Sequence, residues 1–223
     1  MDVRFHDRQH AGRLLALRLK EYANRDDVLV LALPRGGVPV GFEIAQALNV
    51  PLEVLIVRKL GLPQQSEVAF GALASGGIRV FNESLLADVP ISTAEIEAIT
   101  ESEREELERR EQLYRANRPF PALHKRTVIL VDDGMATGTT MLAAVAALKS
   151  QHPARIIIAV PVASAEACHE FVQMDAPLSL VCLLVPENFF AVGLWYEHFP
   201  QTTDKEVREL LDQAAQPLAN VAK

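Results

Sequence analysis

The chain has 223 residues, of which 49% are hydrophobic, and a formal charge of -7. That length is enough to bury one proper core. The negative balance argues against a nucleic-acid partner held by a general basic field and leaves only a local basic patch open, and no apolar run is long enough to span a bilayer.

The start, Met1 to His10, is polar and charged and reads as no signal peptide. Phe5-His6-Asp7-Arg8 precedes an amphipathic helix with Leu14, Leu15, Leu17 and Leu19; His6 and Arg8 are given no chemistry. Val28 to Leu33 is a short apolar strand that ends at the turn signal Pro34-Arg35-Gly36-Gly37. Val38 to Leu48 reads as a helix, with Val40, Ile44 and Leu48 on one face. Leu52 to Val57 reads as a second strand, closed by Arg58-Lys59. Val68–Ala74 and Ile78–Phe81 read as paired short strands around Ser75-Gly76-Gly77.

Ser92 to Asn117 is dense in Glu and Arg and lacks Gly and Pro. Ser92 and Glu95 form a capping-box pattern. Glu105–Arg109, Glu106–Arg110 and Glu111–Arg115 are favourable ion-pair spacings. The segment is expected to be one long, mostly exposed helix inserted between two sheet strands, with Thr100, Leu107 and Tyr114 as a narrow apolar seam. Val128–Val131, Arg155–Val160 and Leu178–Leu184 are further strands, with helices at about Thr140–Ser150 and Ser164–Met174. A last helix is expected over Asp204–Ala215. Strands alternating with helices predict a doubly wound α/β fold with a parallel sheet. In such sheets ligands sit beyond the C-terminal strand ends, and the loops after Leu33, Val57 and Val131 are all expected to leave such ends. Cys168 and Cys182, the two cysteines present, lie in apolar segments and read as reduced core residues of a cytoplasmic protein.

The chemistry concentrates in Val128-Ile129-Leu130-Val131-Asp132-Asp133-Gly134-Met135-Ala136-Thr137-Gly138-Thr139-Thr140. A buried strand ends in two carboxylates, and a loop of small and hydroxyl residues leads into a helix. Backbone N–H groups, hydroxyls and a helix N-terminus together bind an anion. Asp132 and Asp133 repel a phosphate and are instead acceptors for a ribose diol or a metal bound to one. The combination reads as a ribose 5-phosphate site. It is no Walker P-loop, because no Gly-Lys-Ser/Thr follows the glycine.

This run resembles the phosphoribosyl pyrophosphate (PRPP) signature of the type I phosphoribosyltransferases. The resemblance implies a single domain over 1–223, with the inserted helix at 92–117 and a small hood that includes the tail at 186–223. It implies that Asp132 and Asp133 hold the ribose hydroxyls and, through them, Mg²⁺, while Ala136, Thr137, Gly138, Thr139 and Thr140 hold the 5′-phosphate. Arg35, Gly36 and Gly37 take the place of the family's short pyrophosphate loop. Val57-Arg58-Lys59-Leu60-Gly61-Leu62-Pro63 is similar to the Arg-Lys-x-Gly-Lys-Leu-Pro run of adenine enzymes, which implies Lys59 first and Arg58 second as pyrophosphate ligands; the family's second Lys is missing. Glu67, the one acid near the following loop, is a candidate for moving a proton to or from the base, against the alternative of a surface residue at a strand start.

The acceptor base stays open. Asp-Asp-x-x-Ala-Thr-Gly follows the adenine enzymes, and Ala136 replaces the Asp of the hypoxanthine-guanine enzymes. Pro186 to Glu197, by contrast, resembles the Pro-Asp-Lys-Phe-Val-Val-Gly segment of the latter. It offers Phe189 or Phe190 as the stacking ring and Asn188 near the Lys position. At whole-chain level the resemblance is to bacterial phosphoribosyltransferase-like proteins with Phe-x-Asp-Arg near the start and Trp-Tyr-x-x-Phe near the end. The implied function is transfer of ribose 5-phosphate from PRPP to a purine-type or other nitrogenous base, in a homodimer with neither membrane nor nucleic-acid partner. The alternatives are a non-catalytic PRPP or nucleotide sensor, and a hydrolase or phosphorylase at the same site.

Overall fold

A computed structural model describes residues 4–63, 65–115, 118–174 and 178–216. In chain order its elements are α1 (Arg8–Arg18), β1 (Val28–Ala32), α2 (Gly37–Leu48), β2 (Leu52–Val54), β3 (Val57–Leu62), β4 (Gln65–Ala74), β5 (Ile78–Phe81), α3 (Glu83–Asp88), α4 (Thr93–Arg115), β6 (Thr127–Val131), α5 (Thr139–Lys149), β7 (Arg155–Val162), α6 (Ala165–Val172), β8 (Leu178–Leu184) and α7 (Asp204–Ala215). They form two compact units. The first comprises Met1–Val54, Lys125–Gly138 and Pro153–Lys223, and the second Leu55–His124 and Thr139–His152.

The first unit is built on a five-stranded sheet in the order β2-β1-β6-β7-β8, parallel throughout. Strands covered on both faces need apolar residues at every position rather than at alternate ones. Val28-Leu29-Val30-Leu31-Ala32 and Val128-Ile129-Leu130-Val131 obey that rule, and both strands are buried throughout, with the one polar position, Thr127, donating its hydroxyl to Asp27 at 3.1 Å. On one face, Leu15 of α1, Leu19 at its C-terminal cap and Val40, Ile44 and Leu48 of α2 pack with Val28, Val30 and Ile129. Each such side chain contributes roughly 1.5–3 kcal/mol by leaving water. The register sets the site: Ala32 pairs with Val131, and Leu33 N–H donates to the Val131 carbonyl at 2.9 Å. The loops after β1 and β6 therefore leave the sheet side by side.

The chain ends close over this unit. Phe5 forms a parallel bridge with Tyr196, with Phe5 N–H on the Trp195 carbonyl at 2.9 Å and Glu197 N–H on the Phe5 carbonyl at 2.8 Å. Phe5, Ala11, Val162 and Tyr196 make a small core, joined by Phe189, Val192, Trp195 and Phe199. The two end motifs of the sequence are thus one structure. The thiols of Cys168 and Cys182 are free and half-buried, less deeply placed than core residues. Burial pushes the Cys182 thiol up to about 12, so it is a poor nucleophile.

The second unit carries an antiparallel sheet in the order β3-β4-β5. Here the structure corrects the expected strand Leu52–Val57. Only Leu52–Val54 pairs with β1; Val57 already belongs to β3, which pairs antiparallel with β4. Leu55 and Ile56 are fully buried between the two strands, so the apolar run is unbroken in sequence although the chain changes sheet. Buried Ser75 accepts from Ile56 N–H at 3.0 Å through its hydroxyl and donates its own N–H to the Ile56 carbonyl at 2.9 Å. Arg58 and Lys59 consequently lie inside β3 rather than at the end of a parallel strand. β4 also starts earlier than expected, at Gln65.

The charged helix spans Thr93–Arg115, and residues 116 and 117 of the expected stretch lie outside the described residues. In its capping box, Glu95 N–H donates to the Ser92 hydroxyl at 3.2 Å, and Ser92 N–H to the Glu95 carboxylate at 2.9 Å. Glu106 pairs with Arg110 and with Arg109, both at 2.7 Å, and Glu111 with Arg115 at 3.4 Å. Leu107 and Tyr114 are buried as the seam predicts. Among the described residues, no helix is long and apolar enough to cross a membrane.

Candidate functional site

β6 delivers Asp132 and Asp133 at its C-terminal end, and β1 delivers Gly36 beside them. A Cβ built on Gly36 would lie 2.0 Å from Asp133 Oδ2 and 2.5 Å from its Cγ. The glycine is therefore required by the close approach of a carboxylate. The Pro34–Arg35 peptide just before it is cis. Arg35 is partly exposed and lies 3.7 Å from Asp204 of α7.

Asp132 Oδ1 accepts the Asp133 N–H at 2.8 Å. Burial, and then the neighbouring Asp133 charge, push the Asp132 carboxyl well above the usual range. A buried carboxylate beside another is costly until a hydroxyl donor or a cation meets it. Asp133 is already met. Arg8 Nε and Nη2 each lie 2.8 Å from Asp133 Oδ2, and Tyr196 donates its hydroxyl to the Asp133 carbonyl at 2.5 Å. That buried hydroxyl resists ionisation, through burial first and the Asp133 charge second.

The loop that follows is held from α6. Met135 N–H donates to the Val162 carbonyl at 2.9 Å, and Ser164 N–H to the Met135 carbonyl at 3.0 Å. The Ser164 hydroxyl donates to the Ala136 carbonyl at 2.6 Å and also accepts from Ala167 N–H at 3.0 Å, capping α6. Gly138 sits at φ +72, a left-handed conformation that favours glycine, with Phe171 of α6 packed against it. Ala136 and Thr137 are exposed. Held in this way, the loop reaches solvent with its backbone fixed and leads directly into α5, whose first residue is Thr139. We expect Ser164→Ala to destabilise the protein by about 1–2 kcal/mol, read as a lower urea midpoint, and to weaken binding of ribose 5-phosphate. A shifted midpoint with unchanged binding would reduce Ser164 to a helix cap.

In the tail, Phe190 is 83% exposed, whereas Phe189 packs against the small core of Phe5, Ala11, Val162 and Tyr196; Asn188 is exposed. Gly134 lies directly under Val192. Asp132, Asp133, Gly36, Gly37 and the tail thus belong to one unit. Thr139, Thr140, Arg58 and Lys59 belong to the second. There Arg58 is paired with Glu103 at 2.5 Å. Lys59 lines a cavity of about 730 Å³ with Ala72, Phe81, Asn82, Thr139 and Leu142. The side chain of Glu67 lies outside the described residues.

Among the described residues no cluster of three or more His, Cys, Asp or Glu could hold a metal ion. The acid pair nevertheless suits Mg²⁺, which is commonly held by one or two carboxylates, with substrate oxygens and water completing its shell. The raised carboxyl of Asp132 is the feature that a cation would relieve.

Arg8, Tyr196 and Ser164 carry no role in the sequence reading. A signal for Arg8 was present. Asp7 caps α1, accepting from His10 N–H at 2.7 Å, which makes Arg8 the first helical residue, where the helix dipole disfavours a cation. A buried arginine there needs an anion from elsewhere in the fold.

Comparison with known proteins converges on one family. Residues 5–176 match the family model of the phosphoribosyl transferase domain. Two proteins from strains of Mycobacterium tuberculosis, carried under the name phosphoribosyl transferase, are each 41% identical over 215 residues, which is 96% of this chain and 48% of theirs. The chain thus spans about half the length of these curated relatives. The crystal structure of TT1426 from Thermus thermophilus superposes with a TM-score of 0.86 at 40% identity, covering 95% of this chain and 99% of that one. AQ2163 from Aquifex aeolicus superposes at 0.51 with 13% identity, over 92% and 85% of the two chains, a likeness of fold alone.

Proposed function

The chain belongs to the phosphoribosyl transferase family, and from that premise we propose that it transfers ribose 5-phosphate from PRPP to a nitrogenous base with release of pyrophosphate. The observation that carries this reading is the acid pair at the end of β6, set against Gly36 and followed by a braced loop that opens α5. Acceptors for a diol stand beside donors for a phosphate, the two ends of a ribose 5-phosphate.

In this reading Asp132 and Asp133 accept from the ribose hydroxyls and lie near the positive charge that grows at the sugar as its bond to pyrophosphate breaks. Such catalysis is chiefly orientation and electrostatics. Backbone N–H groups of Ala136 to Thr140 hold the 5′-phosphate at the start of α5, and Arg35, Gly36 and Gly37 bind the pyrophosphate. Mg²⁺, held by Asp132 and Asp133 with substrate oxygens, would neutralise charge on the leaving pyrophosphate when bound. Roles for Lys59 and Arg58 at the pyrophosphate, and for Glu67 in proton transfer, rest on the family resemblance alone. A purine-type base is the favoured acceptor, with Phe190 as the exposed ring and Asn188 as a neutral donor beside it. Phe190→Ala is then expected to raise the KM for the base with little change for PRPP. Phe189→Ala is expected to act on stability instead, by about 1–3 kcal/mol for a partly buried ring. The reverse pattern would exchange their roles.

The test is pyrophosphate release from PRPP with Mg²⁺ across a panel of purines, pyrimidines and other amines. Release that depends on one base establishes the transferase and names its acceptor. Release without any base points to a hydrolase. Binding of PRPP without release points to a sensor, and absence of both sinks the ribose 5-phosphate site.

A further inference from the structure

Arg8 is a buried cation of the first unit. Its side chain is only 9% exposed. Nε and Nη2 both reach Asp133 Oδ2 at 2.8 Å, Nη1 donates to the Pro200 carbonyl at 2.7 Å, and the guanidinium carbon lies 3.8 Å over the Phe199 ring. All three guanidinium nitrogens are thus engaged, and the planar face is stacked. Burying a guanidinium is unfavourable unless such partners are supplied, and here they come from the C-terminal segment, through Phe199 and Pro200, and from the acid pair. Gly36 presses on the opposite side of the same carboxylate.

Two consequences follow. Asp133 is locked between Gly36 and Arg8 and keeps one orientation. The acid pair also presents one net negative charge rather than two. That matters for a ligand that is itself an anion: two uncompensated carboxylates would repel a sugar phosphate, and a cation from solution would have to offset them. We propose that Arg8 is a positioning residue of the sugar-phosphate site, which fixes Asp133 and cancels one of the two negative charges of the acid pair. This rests on the phosphoribosyl reading of that site. It adds to it that the N-terminal segment, through Arg8, is part of the site's electrostatics, and that Phe199 and Pro200 hold Arg8 in place.

The test uses the intact chain with Arg8→Gln, which keeps a donor without the charge, and Arg8→Lys, which keeps the charge without the planar fork. Melting of each variant is recorded, and ribose 5-phosphate and PRPP are titrated calorimetrically with and without Mg²⁺. Without Mg²⁺, Arg8→Gln is expected to bind at least about tenfold more weakly than wild type, and the deficit to narrow at saturating Mg²⁺. Arg8→Lys is expected to fall between the two. In turnover, Arg8→Gln is expected to raise the KM for PRPP more than it lowers kcat. A folded Arg8→Gln protein with wild-type affinity in both conditions overturns the proposal. So does an Arg8→Lys protein as weak as Arg8→Gln, which would assign the loss to shape rather than charge. Should Arg8→Gln fail to fold, Arg8→Lys decides alone, because wild-type affinity in it removes any need for the fork. Wild-type protein that binds neither sugar phosphate fails at the phosphoribosyl reading itself, an outcome distinct from any difference between variants.

Discussion

Replacing both Asp132 and Asp133 with asparagine is expected to leave a folded protein that binds ribose 5-phosphate and PRPP at least about a hundredfold more weakly and shows no measurable transfer. Asparagine keeps the volume and one acceptor oxygen but loses the charge that a diol or a Mg²⁺ ion would meet. The stability of the single variant Asp132→Asn should move the other way. Burial and the Asp133 charge raise the Asp132 carboxyl in the folded protein above its unfolded value. Folding then favours the protonated form, and stability falls as the pH rises from the unfolded pKa through the folded one. At neutral pH, without Mg²⁺ or ligand, the wild type carries that cost and Asp132→Asn does not. Its Tm should therefore exceed the wild-type value at neutral pH, with the gap closing towards pH 4. A Tm below wild type at neutral pH would mean that Asp132 is satisfied inside the fold and has no need of a ligand. Wild-type PRPP affinity in the double variant would remove the acid pair from the site.

The second large effect is expected at Gly36→Ala. The new methyl would overlap Asp133 Oδ2 at 2.0 Å, and the carboxylate has no cheap route away because Arg8 holds the same oxygen. Relief requires breaking the buried ion pair or moving the loop after β1, at a cost of about 2–4 kcal/mol. Chemical denaturation should show this as a lower midpoint, and calorimetry as lost sugar-phosphate binding. The combination Gly36→Ala with Asp133→Ala separates two origins of the loss. It is expected to recover stability relative to the sum of the single changes, because the clashing pair is gone, while binding stays lost. Additive destabilisation would show that Gly36 matters for its own backbone and not for Asp133.

Much of the first unit was legible in the sequence because its central strands β1, β6 and β7 are buried on both faces. A continuous apolar run such as Val128–Val131, short, rich in β-branched residues and closed by Asp132-Asp133-Gly134, favours a buried strand over a helix. The same rule misled at Leu52–Val57. Leu55 and Ile56 are as apolar and as buried as strand residues, yet they form the crossing between two sheets, and hydropathy has no term for a change of hydrogen-bond partner. The long helix was readable for a different reason: its cap and ion pairs are local, made between residues three and four apart.

By itself, the sequence determined most of the elements, the parallel character of the main sheet, the acid pair with its loop and the family to which these belong, because each is encoded in local runs of neighbouring residues. Only the tertiary structure decided which distant groups complete that centre. Arg8 and Asp133 are 125 positions apart, and Tyr196 and Asp133 are 63. Their pairing arises from the parallel register of β1 with β6 and from the bridge between Phe5 and Tyr196, and neither spacing nor composition records which chain segments a fold brings into contact.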